Sequence, residues 1–166
     1  MPRQTTIHIR NQYLKFSAAH FTIFSATERE RLHGHNFAVS ADITTEVGDD
    51  GLCFDYNVMK KRLKTLCDSI DEYVLMPGNS PYLDVSIGDQ HVDVRFADEH
   101  MTFLKSDTIV MPLANITAEE LSYWLLEQLL LDDTAEQYAI SAIDVTVSSG
   151  YGQAASTHWQ SDGGFK

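Results

Sequence analysis

The sequence has few of the features that mark secreted, membrane-bound or nucleic-acid-binding proteins. Only two residues are cysteines, Cys53 in an apolar strand pattern and Cys67 in a helix pattern, so we expect reduced core residues and no disulfide framework. No apolar run is long enough for a membrane span, and the polar start of the chain has no signal-peptide core. Basic residues number 12 against 24 acidic ones, and the net charge of −12 argues against nucleic acids and anionic membranes as partners. We therefore expect a cytoplasmic protein.

The rest of the composition is that of an ordinary globular domain. Hydrophobic residues make up 43% of the chain and charged residues 22%, so both a core and a polar surface are expected. A chain of 166 residues is long enough for one domain with a sizeable core and too short to expect two. We predict a single domain over residues 1–166.

Apolar side chains recur with strand and helix periods along the chain. The predicted elements are a strand over residues 5–19 with a bulge near Asn11, a strand from about His35 to Val47, a helix around 58–70, a helix that begins after Thr117, and strands over 139–148 and about 154–160. Thr117 and Glu120 form a capping-box pattern at the start of the second helix. Two hairpins with two helices between them predict an α+β fold, in which both helices lie on one face of a four-stranded antiparallel sheet.

An insertion separates the two predicted helices. It covers about residues 76–113 and contains three short strand-like patterns, near 82–87, 91–96 and 101–111. These patterns predict a small β element that is added to the main domain.

Three histidines are the strongest functional signal. His33 and His35 are separated by Gly34, and because strand side chains alternate between faces, both imidazoles point to the same side. Gly34 leaves the opposite face bare, so that backbone or substrate can approach it. His20 ends the preceding strand pattern and supplies a third imidazole. Three neutral imidazoles with one open position form the ligand set of a catalytic zinc site, although single histidines at strand ends are usually only polar residues.

Several motifs resemble a known family. They are Phe16-Ser17-Ala18-Ala19-His20, Arg31-Leu32-His33-Gly34-His35-Asn36-Phe37, Phe54-Asp55-Tyr56 with Met59-Lys60, and Asn115-Ile116-Thr117-Ala118-Glu119. In this order they resemble the 6-pyruvoyl-tetrahydropterin synthase and 6-carboxy-tetrahydropterin synthase family, over most of the chain outside the insertion.

The resemblance implies a tunnelling fold, in which subunits join their sheets into a barrel, and therefore a homo-oligomer, a trimer or a hexamer. It implies that His20, His33 and His35 bind Zn²⁺ beside a pterin derived from dihydroneopterin triphosphate. It also implies substrate-binding roles for Thr117 and Glu119. The active sites of such an oligomer form between subunits.

The chain departs from the family pattern at three positions. The family cysteine that precedes the histidine pair is absent, and Glu28 or Glu30 could replace it as the general base. Asp71 and Glu72 stand where the family has Asp-His, so these carboxylates are catalytic candidates. An imidazole from the insertion, at His91 or His100, is the alternative proton carrier there.

The third departure concerns the pterin anchor. Ser149 stands in place of a glutamate, and a serine cannot form the two-point ionic pair that a carboxylate makes with the guanidine-like edge of a pterin. Two functions follow. One is a zinc-dependent carbon–oxygen lyase with an altered base and anchor. The other is a diverged, non-catalytic metal-binding protein of the same fold.

Overall fold

The computed structural model describes residues 3–165, so residues 1, 2 and 166 of the predicted domain lie outside the described part. The strands are β1 (Gln4–Ile9), β2 (Lys15–His20), β3 (His33–Glu46), β4 (Tyr73–Pro77), β5 (Asp84–Ile87), β6 (His91–Phe96), β7 (Glu99–Leu104), β8 (Thr108–Met111), β9 (Ile140–Gly150), β10 (Gln153–Gln160) and β11 (Gly164–Phe165). The helices are α1 (Asn57–Ser69), α2 (Ala118–Leu129) and the single turn α3 (Thr134–Gln137).

The α+β class is confirmed, but the sheet is larger than predicted. Eight strands form it, in the order β11-β10-β9-β3-β2-β4-β8, with β1 also paired to β3. Two of the added strands are parallel, since β4 pairs with β2 and β8 pairs with β4 in parallel registers. A parallel neighbour requires a long connection, and here the chain from β2 to β4 passes through β3 and α1, while the chain from β4 to β8 passes through β5, β6 and β7.

The predicted strand over residues 5–19 is two strands. Both β1 and β2 lie antiparallel to the long strand β3, and the last pair of β1, Ile9 with Ala41, is followed by the first pair of β2, Lys15 with Ala38. Between them the backbone N–H of Leu14 donates to the carbonyl of Asn11. The change of period near Asn11 therefore marks a turn between collinear strands instead of a bulge.

The insertion is only partly a separate element. Strands β5, β6 and β7 form their own three-stranded antiparallel sheet, the small sheet. The predicted third strand over 101–111 is wrong as one strand, because a 3-10 turn at Lys105–Asp107 divides it into β7 and β8. After this turn the chain leaves the small sheet and joins the main one.

The apolar core has two parts. The main core lies between one face of the large sheet and the helices α1 and α2, with β3 supplying the buried side chains of Phe37, Val39, Ala41 and Ile43. A second cluster joins the small sheet to the segment after β2 and to β4. Its buried members are Phe21, Ile23, Met76, Val92, Val94 and Phe96. The small sheet is thus packed onto the chain that leads from His20 toward His33.

Helix α2 begins with the predicted cap. The side-chain oxygen of Thr117 accepts a hydrogen bond from the backbone N–H of Glu120. The Glu120 carboxylate accepts from the N–H of Ala114 and not from that of Thr117, so the described residues form one half of the predicted capping box. No helix within residues 3–165 is both long and apolar enough to cross a membrane.

Both cysteines are free thiols in different surroundings. Cys67 is fully buried in α1, and burial raises the pKa of its thiol to about 12. Cys53 is half-buried in the loop before α1, so its predicted strand position is wrong.

This difference predicts two classes of thiol reactivity. Because the thiolate is the reactive form, native protein at pH 8 should react quickly with a thiol reagent at Cys53 and very slowly at Cys67. The measurement is colorimetric thiol titration with Ellman's reagent, and Cys53→Ser is the control that should remove the fast phase. Two equally fast thiols in the native protein would contradict the buried position of Cys67.

Candidate active site

The pairing of β2 with β3 brings the three histidines together. His20 lies directly opposite His33, and His35 lies two residues further along β3 on the same face. One ring nitrogen of each histidine falls within 4.8 Å of the others, and the Nε2 atoms of His33 and His35 are 3.0 Å apart. Within residues 3–165, this is the group of three or more potential ligands that is compact enough for one metal ion.

Backbone carbonyls fix the orientation of two of the rings. The Nδ1 atom of His20 is 2.8 Å from the carbonyl oxygen of Ile116, and the Nδ1 atom of His33 is 2.7 Å from that of Arg31. A carbonyl oxygen only accepts hydrogen bonds, so each Nδ1 carries the proton and each Nε2 offers a lone pair. When neutral, these two rings are therefore in the tautomer that offers Nε2 to a metal ion.

One buried nitrogen lacks a partner. The Nε2 atom of His20 makes no hydrogen bond within the described residues, and the residue is buried. Burial lowers the pKa of His20, although its bond to the Ile116 carbonyl acts in the opposite direction, so the ring favours its neutral form. A neutral, buried imidazole with a free lone pair fits a metal ion, and the donor set suits zinc among others.

Of the two glutamates considered as a base, only Glu30 reaches this site. Its Oε2 atom is 3.8 Å from Nε2 of His33 and accepts a hydrogen bond of 3.0 Å from the backbone N–H of Thr22. Burial raises the pKa of Glu30, but the hydrogen bonds from Thr22 and the charges of the neighbouring histidines lower it by more. The pKa of Glu30 therefore lies below its ordinary value. Glu28 is exposed, and its backbone carbonyl closes the turn that begins at Phe24.

A cavity of about 440 Å³ opens beside the histidines. It brings together the predicted substrate-binding residues Thr117, Glu119 and Ser149 with Glu30, His20 and His35. The other lining residues are Thr22, Phe37, Ala118, Gly152, Gln153, Ala154 and Ala155. Sequence reasoning missed Gln153, although it lies just beyond the Gly-Tyr-Gly turn that follows Ser149, and hairpin pairing returns it toward this site.

Other predicted residues lie elsewhere. The Asp71 carboxylate accepts a hydrogen bond of 2.6 Å from the backbone N–H of Ser17, and Glu72 lines a different cavity, of about 430 Å³, together with Gly34. Gly34 therefore does border open space on the face away from Phe37. His91 and His100 are exposed on the small sheet, where His100 pairs with Asp93.

The fold and the site define the class of protein: an α+β sheet protein with a candidate three-histidine metal centre and a carboxylate beside it. The family model of 6-pyruvoyl tetrahydropterin synthase matches residues 9–156. The chain belongs to this family.

Three known proteins show how this chain is related to the family. It is 26% identical over 146 residues to a provisionally named 6-carboxy-5,6,7,8-tetrahydropterin synthase of Methanocaldococcus jannaschii, covering 86% of this chain and 88% of that protein. It is 27% identical to the 6-pyruvoyl tetrahydropterin synthase of Plasmodium falciparum, with a TM-score of 0.88 over 95% of this chain and 98% of that one.

The Plasmodium vivax enzyme is relevant to the identity of the general base. It is 25% identical, with a TM-score of 0.89 over 95% of this chain and 99% of that chain. Two further structures of that enzyme carry cysteine or alanine in place of a glutamate that is described as a catalytic residue.

The convergent Nε2 atoms predict the effect of removing one ligand. His33→Ala should sharply lower the metal content of the purified protein, because it leaves two imidazoles for an ion that needs at least three protein ligands. The measurement is elemental analysis by mass spectrometry after dialysis, with exposed His91→Ala as the matched control. Stoichiometric metal in the His33→Ala protein would contradict the site.

Proposed function

We propose that this protein is a zinc-dependent carbon–oxygen lyase that acts on a pterin resembling dihydroneopterin triphosphate, with Glu30 as its general base. The observation that carries the proposal is the position of the Glu30 carboxylate, 3.8 Å from Nε2 of His33 and on the wall of the same cavity. Membership of the pterin synthase family supports the substrate class. The catalytic glutamate of the Plasmodium vivax enzyme supports a glutamate in this role.

His20, His33 and His35 would hold the zinc ion through their Nε2 atoms. A zinc ion bound there would act as a Lewis acid on side-chain oxygens of the substrate and make the adjacent protons easier to remove. The protein contributes rings that are already oriented by the carbonyls of Ile116 and Arg31. Such preorganisation keeps the ligands from rearranging when substrate binds.

Glu30 would accept the proton from the substrate side chain. Its Oε2 atom, the carboxylate oxygen that lies 3.8 Å from Nε2 of His33, is held by the backbone N–H of Thr22, so the carboxylate is fixed at the site where it would act as the base. A positioned general base contributes about 10²–10⁴-fold to a rate. In this proposal a carboxylate does the work for which the resembled enzymes have a cysteine.

The pterin ring would bind at the other end of the cavity. Besides Glu30, Glu119 is the carboxylate on the cavity wall, so we assign it the charged contact with the guanidine-like edge of the pterin. Ser149 and Gln153 can add hydrogen bonds, and the amide of Gln153 offers both a donor and an acceptor. The ionic anchor is thereby moved from the Ser149 position to the first turn of α2.

Assembly is part of the proposal. Within the described chain, β8 and β11 end the large sheet, and unpaired sheet edges favour strand pairing with another copy. A trimer or hexamer would allow Asp71 and Glu72 to serve the cavity of a neighbouring chain, which they do not reach in their own. Their catalytic role stays a prediction that depends on this assembly.

The first prediction from the proposed function tests Glu30 as the general base. Glu30→Gln should lower kcat for dihydroneopterin triphosphate by about 10²–10⁴-fold, since it keeps the side-chain size but removes the proton acceptor. The measurement is substrate consumption by chromatography at equal zinc content, with Glu28→Gln as the matched control. Undiminished turnover by Glu30→Gln would refute the proposed base. Zinc-loaded wild-type protein without any turnover would instead favour the non-catalytic alternative.

A second prediction tests the proposed contacts of the pterin ring separately from the metal site. Glu119→Gln should raise KM or Kd for the pterin by about tenfold or more, because a charge-assisted contact is lost, while the zinc content is unchanged. Ser149→Glu should tighten binding by restoring a carboxylate at the resembled anchor position. Fluorescence titration with a pterin measures both, and unchanged affinity in both variants would overturn the assignment of this end.

The third prediction concerns size. A protomer has a mass of 18.7 kDa, and multi-angle light scattering should give about three or six times that value, because exposed sheet edges pair. A protomer-sized particle at micromolar concentration would contradict the assembly.

A further inference from the structure

We propose that Glu99, on the small sheet, is a positioning residue for Glu30 and acts through Arg29. The inference rests on the proposed function, since it concerns the residue assigned as the base. It gives the small sheet a role in catalysis although, within residues 3–165, neither Glu99 nor Arg29 is among the lining residues of the cavity.

Arg29 is held from several sides. Its Nε and Nη2 atoms donate to Oε2 of Glu99 at 2.8 and 2.5 Å. Its guanidinium carbon lies 4.9 Å from the ring centre of Phe21 and 5.7 Å from that of Phe96. The Arg29 side chain is only 16% exposed, so the ion pair and the aromatic contacts are partly shielded from water. A side chain held in this way has little freedom to move.

A tight hairpin brings together the two residues of the small sheet that contact Arg29. Phe96 and Glu99 are paired residues at the ends of β6 and β7, so their side chains lie on the same face. Only two residues connect them, and Ala97 adopts a φ of 49°, a left-handed conformation that alanine rarely takes. The hairpin therefore presents one aromatic ring and one carboxylate at the position of the Arg29 guanidinium.

The remaining donor of Arg29 reaches the candidate base. Nη1 donates to the backbone carbonyl of Glu30 at 2.8 Å. The backbone N–H of Glu30 donates to the carbonyl of Thr22 at 2.8 Å, and the Glu30 carboxylate accepts from the N–H of Thr22. Both peptide groups beside the Glu30 side chain are thus fixed, one by Thr22 and one by the Glu99–Arg29 pair. A displacement of about 1 Å at a catalytic group can cost about 10²-fold in rate.

The test is a cycle of Glu99→Gln, Glu30→Gln and the double variant, assayed on dihydroneopterin triphosphate with the zinc-loaded full-length protein. Glu99→Gln should lower kcat by about tenfold or more, with KM and zinc content unchanged. In the Glu30→Gln background the same change should have no further effect, because the residue that it positions has already lost its function.

The matched control is Asp132→Asn, which weakens the ion pair between Arg62 and Asp132. The exposure of that pair, 22% and 59%, is close to the 16% and 55% of Arg29 and Glu99. The kcat of the Asp132→Asn variant should equal that of the wild type. A thermal melt of every variant shows whether a loss of activity merely follows a loss of stability.

Different results overturn the two proposals. If Glu30→Gln is nearly inactive but Glu99→Gln has wild-type kcat, the positioning role is wrong and the base assignment stands. If Glu99→Gln lowers kcat equally in both backgrounds, or lowers zinc content and melting temperature in parallel with kcat, Glu99 is only structural. If Glu30→Gln is fully active, the base assignment fails and the positioning role fails with it.

Discussion

The antiparallel pairing of β2 with β3 is the constraint on which the site depends. It sets His20 opposite His33 and aligns His35 with the core side chain of Phe37. A shift of this register by one residue would turn one strand's imidazoles to the other face of the sheet. The register is in turn secured by burial, since Phe16 of β2 stacks on Phe37 of β3 with ring centres 4.9 Å apart. The metal centre and the core are therefore specified by the same strand pair.

The sequence predicted those parts of the fold that depend on local pattern. Alternation identified β3 and the common face of its histidines, and the Thr117 cap located the start of α2. The parallel strands β4 and β8 could not be predicted in this way, because their pairing depends on crossovers between distant segments. The change of period near Asn11 located the break in residues 5–19, but only the pairing of both halves with β3 shows that this break is a turn between two strands and not a bulge.

The candidate site was predictable to a similar degree. Spacing alone favoured the three histidines, and the resemblance added Thr117, Glu119 and Ser149, which the structure brings to one cavity. Spacing could not choose between Glu28 and Glu30, because neither lies in a periodic element. Their difference comes from the turn at Phe24–Glu28 and the bond to Thr22, which leave one carboxylate in solvent and bring the other to His33.

The division of the apolar core into two clusters has a consequence for dynamics. Free energies of local opening depend on the apolar contacts that are broken, and the cluster under the small sheet has six buried members against two dozen in the main core. We expect the small sheet and the segment from Phe21 to Glu30 to open as a sub-global unit while the main core stays closed. The histidines on β2 and β3 would then keep their positions during fluctuations that move the candidate base Glu30. Metal binding and catalysis would therefore depend on regions of different local stability.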